Sequence, residues 1–500
     1  MANSPAAMTA PPLSAAAIAL NRFGLGARAD EAPPADPKHW LLTQFDAYQP
    51  MPAAWAAQPG SLAIAAQLAD ERQQAMANAN NATNATSATN ATSQPNAAAT
   101  PEDARKAARQ AANKAVRMES RDTYRAAVNA RVASALTTPA PFVERLVHFW
   151  ANHFAVSVDK GAVAPYAGAF EAEAIRPHVL GRFEDMLVAV ERHPAMQLFL
   201  DQTRSVGPDS VAAMRAAQRN PNRKPGLNEN LAREIMELHT LGVRSGYTQD
   251  DVTEFARAMT GWSIAAAQGP QPNNAPPGAF VFRAPLHEPG TRTIMGRRYD
   301  QPGEAQTLAV LHDLSSAPAT ATHIATKLAR HFVADNPPPD VVDQLATAFM
   351  RSRGDLPTVY RTLIASDAAW SPVAVKFKSP WDWTISSMRG LGMREPNDGA
   401  RAMQMAPVLT QLGQQVWRPG SPAGYDDIAA SWAAPDALVR RVEIAQRFAA
   451  RVGDRLDARS LGSTLMAGSL SEATQTAVSR AESASTALAL LLVSPDFQRR

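Results

Sequence analysis

What most constrains this chain is a recurring pattern: an explicit helix start followed by apolar residues three and four positions apart. Thr248 and Asp251 form a capping box that opens a helix through Thr260. In that segment, QDDVTEFARAMTGW, Val252, Phe255, Ala256 and Met259 share one apolar face, and Asp250, Glu254 and Arg257 share the polar side. Ser379-Pro380-Trp381-Asp382 repeats the logic, with Pro at the first helical position and Asp382 at the third. A strand needs alternation with period two, so these segments are helical. Ala-rich stretches, 17 Met and only 6% aromatic residues lean the same way.

Strand signals are confined to AFVF and RTIMGRRY, flanking a Pro-Gly break, which together predict one small hairpin. The expected fold is therefore mostly α, a multi-helical globular array with a single small β-hairpin insertion. Five regions follow from composition: an N-terminal helical segment (1–75), a low-complexity insertion (76–114), a central helical region (115–265), a loop with the hairpin (266–303) and a C-terminal helical region (304–500). The tract ANANNATNATSATNATSQPNAAAT offers too little apolar surface to order itself, so 76 to about 100 reads as a flexible insertion, with a helix resuming near Pro101.

Composition excludes several functions. The 500 residues contain no cysteine, which rules out disulfides, thiolate catalysis and Cys-ligated metals. Lys plus Arg number 49 against 46 for Asp plus Glu, and no Lys/Arg cluster marks a nucleic-acid surface, so no nucleic-acid partner is expected. No stretch approaches the ~20 apolar residues of a membrane span. The Ala-rich start lacks a positively charged n-region and is a poor export signal.

The richest segment chemically is LNENLAREIMELHTLG, Leu227 to Gly242. On a helix turning 100° per residue, Glu229, Asn230, Arg233, Glu234, Glu237 and Thr240 fall in one sector of roughly 140°. His239 falls in the apolar sector, which suits a hydrogen-bonded core histidine. The polar face reads either as a solvated surface laced by Glu229–Arg233–Glu237 pairs or as a site carrying three carboxylates and a guanidinium. A tight start at Pro225-Gly226-Leu227-Asn228 and the absence of Lys favour the second. In RLVHFWANHFAVSVDK, His153 lies on an apolar wall, while Arg145, His148 and Asn152 lie on the other side; two His five apart cannot form a helical zinc pair. Asp201 closes the apolar run AMQLFLD, and His287-Glu288 sits in the expected hairpin loop. No GxxxxGK[ST], GxSxG or HExxH motif occurs.

LNRFGLGAR, FWANHFAVS, NENLAREIMELHTLG with YTQDDVTEFARAMTGW, KLARHFVADNPPP, KSPWDWTISSMRGLG and LGQQVWRPGSPAGYDD are spread from end to end. Together they resemble a bacterial family catalogued as domain of unknown function 1800, over roughly residues 15 to 498. The resemblance implies a helical protein whose relatives often carry export signals and are encoded beside a secreted protein of alkaline-phosphatase-like fold, a candidate partner. This chain has His287-Glu288 where relatives more often show His-Asp, and Gln202 after Asp201 where Asn is commoner. It also lacks their export signal.

Two readings stay open. The first is a hydrolytic or acid–base enzyme built from Asn152, His153, Asp201, Asn228, Glu229, Arg233, Glu234, Glu237 and His287. In it Glu234 or Glu237 acts as base or hard-metal ligand, Arg233 holds an anionic group, and the two Asn orient substrate. Such oxygens suit a divalent metal, Mg²⁺ or Ca²⁺, and adding His admits Zn²⁺ or Mn²⁺. The second is a non-catalytic helical binding or assembly protein in which these residues form a buried ion network that fixes packing.

Overall fold

In a computed structural model of the protein, residues 11–90, 101–220, 226–266, 275–396 and 404–500 are described. The first part of the Ala-rich start (1–10), the end of the low-complexity tract (91–100), Pro225 and most of the Pro/Asn-rich loop (267–274) lie outside them. Helices dominate, and the only strands among the described residues form two short antiparallel pairs. Among those residues no helix is long and apolar enough to cross a membrane.

The explicit caps start helices where the sequence puts them. Thr248 accepts from Asp251 N while Asp251 reaches back to the Thr248 backbone, opening Gln249–Met259. Ser379 accepts from Asp382 N and opens Pro380–Gly390. Three details differ from expectation. The helix Ser61–Asn90 runs through the first part of the low-complexity tract and packs on Pro101–Thr137. Its first turns bury Ile64, Ala65 and Leu68, and no Gly or Pro interrupts it. The AFVF run also does not pair with RTIMGRRY. Instead β1 (Trp262–Ile264) pairs with β2 (Phe280–Phe282) across the Pro/Asn-rich loop. RTIMGRRY folds on itself as β3 (Arg292–Ile294) and β4 (Arg297–Tyr299), turning at Met295-Gly296, both with positive φ. Trp262 is a buried core residue, edge-on to Phe280.

One continuous apolar core runs from Leu13 to Phe497. The N-terminal turn Ala15–Ile18 docks on the last third of the chain: the Ser14 hydroxyl donates to the Ala467 carbonyl at 3.0 Å. The Arg22 guanidinium, wholly buried, donates to the Ala369 and Val373 carbonyls, each at 2.8 Å. Phe23 stacks on Phe332 and meets Phe142 edge-on. At the centre lies Pro141–His153, buried on every side except Asn152, which is partly buried. The half of this helix expected to be polar and separate is thus enclosed too, with its polar residues answered by buried partners.

Candidate functional site

The central helix exposes Arg145, His148, Asn152 and His153 to one cavity of about 350 Å³. Pro318–Phe332 forms the second wall, with His323, Lys327, Arg330 and His331 at i, i+4, i+7 and i+8, hence on neighbouring parts of one helical face. Ser379, Trp381 and Asp382 supply a third side, and residues 414–427 close it. That last segment is clamped by Asn152, whose side chain accepts from Tyr425 N at 2.7 Å and donates to Tyr425 O at 2.9 Å. Gly424, at φ +83°, lies so close that any Cβ would strike the Asn152 carbonyl.

Under the cavity runs a buried charge network. Arg145 donates to Asp382 at 3.0 Å, and Arg500 lies 3.3 Å from the other Asp382 oxygen. The acid that could have completed a helix cap is thus turned onto two guanidiniums. Burial alone would raise the Asp382 pKa, but Arg145 and Arg500 bring it down to about 2. Lys376 bridges Asp335 at 2.7 Å and Asp427 at 3.3 Å, with Arg500 3.8 Å from Asp427. Burial again opposes ionisation of Asp427, yet His331, Lys376 and Arg500 hold its carboxyl far below the usual range.

Four imidazoles line the cavity, and their hydrogen bonds assign them different roles. The helix Asn230–Glu234 passes into a π turn, Ile235–His239, which shifts the register and frees carbonyls at its end. His323 donates through Nε2 to Leu238 O at 3.0 Å, and His153 donates through Nε2 to His239 O at 3.1 Å. Burial keeps both uncharged, lowering His323 to about 4 and His153 well below its ordinary value. His148 accepts from Trp381 Nε1 at 3.1 Å. His331 differs in its partner, a carboxylate: its Nδ1 donates to Asp427 Oδ2, and its Nε2, like His148 Nε2 and His153 Nδ1, is buried with no hydrogen-bond partner. Burial lowers the His331 pKa, Asp427 pulling the other way, so the imidazole is neutral with a free Nε2 lone pair.

Of the residues singled out from sequence, the structure brings Asn152 and His153 to this cavity, together with Leu238 from the motif helix. The others lie outside its lining. Asp201, at φ 56°, pairs with Lys160 at 2.6 Å, and Asn228 donates to the Leu200 and Asp201 carbonyls, each at 2.9 Å. Glu229 accepts from Thr253, Gln249 and Arg233 near the surface; the Thr253 bond first, with Gln249 and Arg233, lowers its pKa against an opposing burial penalty. Arg233 also donates to Gln249 at 2.8 Å. Glu234 is pushed up by burial, helped by Glu237 and Glu191. Glu237 hydrogen-bonds Tyr247. His287 donates to Thr260 O at 2.8 Å. Thr240, placed on the polar face by the wheel, is fully buried because the π turn breaks the 100° count. His239 is a core histidine whose Nδ1 lies 2.7 Å from Glu191. Among the described residues no group of three or more His, Asp or Glu is placed to hold a metal ion.

His331, Asp427, Lys327 and Arg330 were not singled out from sequence. The available signal was the helical stripe His323, Lys327, Arg330, His331 within THIATKLARHF.

Residues 18–499 match the family described as a protein of unknown function, DUF1800. The chain belongs to that family. No curated protein and no solved structure matches it. The DUF1800 match covers every wall of the cavity, from Arg131 to Asp427, and leaves its chemistry to be read from the side chains.

Proposed function

We propose that the protein is an acid–base enzyme of hydrolytic type, with His331 as its base and Asp427 as the residue that orients and electrostatically supports it. One observation carries this: an ionised carboxylate fixes Nδ1–H of a neutral imidazole that lines a cavity, while the opposite nitrogen is buried and unpartnered. His331 Nε2 takes a proton from water, and the water oxygen bonds to an acyl or phosphoryl centre. The imidazolium, stabilised by Asp427, then returns the proton to the leaving group as its bond breaks. Arg145 and Asp382, from two other sides of the cavity, pair with each other and fix those sides in place.

The test is hydrolysis of p-nitrophenyl acetate and p-nitrophenyl phosphate by the purified protein and by His331→Gln. The expected result is turnover of one of them that His331→Gln lowers by about 10²–10⁴-fold, with an acid limb below pH 6.5. Equal rates in both proteins sink the proposal.

A second reading has its own observation. The Arg145–Asp382–Arg500–Asp427–Lys376 network joins four distant parts of the chain and fits an ion network that specifies packing. On that reading the protein is a scaffold acting with a secreted partner of alkaline-phosphatase-like fold. A His331→Gln variant that folds normally yet loses turnover counts against it.

A further inference from the structure

We propose that the Lys327–Arg330 side of the cavity binds an anionic group of the substrate, a carboxylate or a phosphate. The proposal deepens the acid–base reading and rests on it for the word substrate, but the binding site can be tested alone.

The argument is one of unmatched charge. Arg131 is taken by Glu171 at 2.8 Å, and Arg145 by Asp382 at 3.0 Å. Asp427 already faces His331, Lys376 and Arg500. Lys327 is different: it lines the cavity and, among the described residues, makes no hydrogen bond or ion pair. Arg330 spends only its Nε, on the Asp335 carbonyl at 3.2 Å. Of the lining carboxylates, Asp382 and Asp427 face other cations and Asp426 accepts from Ser431, so Lys327 and Arg330 line the cavity without an ion pair of their own. Burial lowers Lys327 to about 8, with Asp427 offsetting part of this and Arg330 adding to it. A partly buried cation without a partner is unfavourably placed, and an anion entering the cavity lessens that penalty. Lys327 also precedes His331 by one helical turn, so an anion on the lysine sets the adjoining carbonyl or phosphoryl group beside the free Nε2.

Calorimetric titration of the purified chain with inorganic phosphate and with succinate, at matched ionic strength in chloride, tests this. Saturable binding of either is expected, the tighter anion identifying the group recognised. Lys327→Met should weaken it about ten- to hundredfold, the loss of one charge-assisted contact. Should that variant fail to fold, Arg330→Gln is expected to weaken binding in the same sense. Absence of binding by both anions, or undiminished binding in the folded variants, overturns the proposal. His331→Gln separates the two readings. Anion binding retained without any His331-dependent turnover leaves the anion site standing and removes the catalytic reading. His331-dependent turnover without anion binding does the reverse.

Discussion

His153 donates through Nε2 to the main-chain carbonyl of His239, 86 residues further on, at 3.1 Å. That carbonyl ends the π turn Ile235–His239, and the imidazole stands where a helix would have placed a backbone N–H. His153→Leu preserves much of the bulk and removes the donor, stranding a buried acceptor. A loss of about 1–3 kcal/mol is expected from urea unfolding. An unchanged midpoint would show that the carbonyl finds another partner.

Glu144 and Arg176 form a sealed pair, bidentate at 2.8 and 2.9 Å with neither side chain measurably open to solvent. Glu144→Gln keeps the shape and leaves Arg176 without its counter-charge. Destabilisation of about 3–5 kcal/mol is expected. By contrast Glu229→Ala, at the surface, should shift stability by no more than ~0.5 kcal/mol. Thermal melts of the two variants side by side decide both.

The cavity histidines make the protein acid-sensitive. His331, His153 and His148 are all lowered by burial, and His323 is lowered to about 4. Below pH 6.5 the unfolded chain therefore binds protons that the folded chain refuses, so stability falls as pH drops from 6.5 toward 4. Asp382, held at about 2, adds a second loss below pH 3.8. Denaturant midpoints measured from pH 7 to 4 should decline steadily. A flat profile would mean that these imidazoles titrate normally.

Lys378 is buried, its ammonium 4.0 Å from the Phe497 ring centroid and 3.2 Å from Ser386 Oγ. Burial drives its pKa down to about 7, against a partial pull from Asp382. Lys378→Met should stabilise the protein at pH 7 by about 1–2 kcal/mol. Above pH 7 the folded lysine sheds its proton while the unfolded one keeps it to 10.5, so the native chain gains stability. The melting-temperature gap between the two proteins should narrow toward pH 10; a constant gap argues that packing alone is responsible.

Helix starts were legible because a cap is a local event: Thr248 with Asp251, and Ser379 with Pro380, carry their own instructions. The π turn was not, since a wheel drawn at 100° per residue has no means of registering one extra residue, and Thr240 moved from the polar face to the core in consequence. The site was legible only in part. Asn152 and His153 stood out by type, whereas His331 gains its meaning from Asp427, 96 residues away. Periodicity reports which face of a helix is buried, not which loop covers it. Equally, Asp382 looked like a cap residue and is one only through its backbone; its carboxylate answers Arg145 and Arg500.

The docking of the first turn has a consequence in time. Arg22 finds its acceptors at Ala369 and Val373, about 350 residues later. At about 5–20 residues per second of synthesis, roughly 20–70 s separate the appearance of that guanidinium from the appearance of the carbonyls it will bind. For that interval Ala17, Ile18, Leu20 and Phe23 lack part of the surface that finally covers them. The packing of this segment is therefore completed only after Ala369 and Val373 have been made.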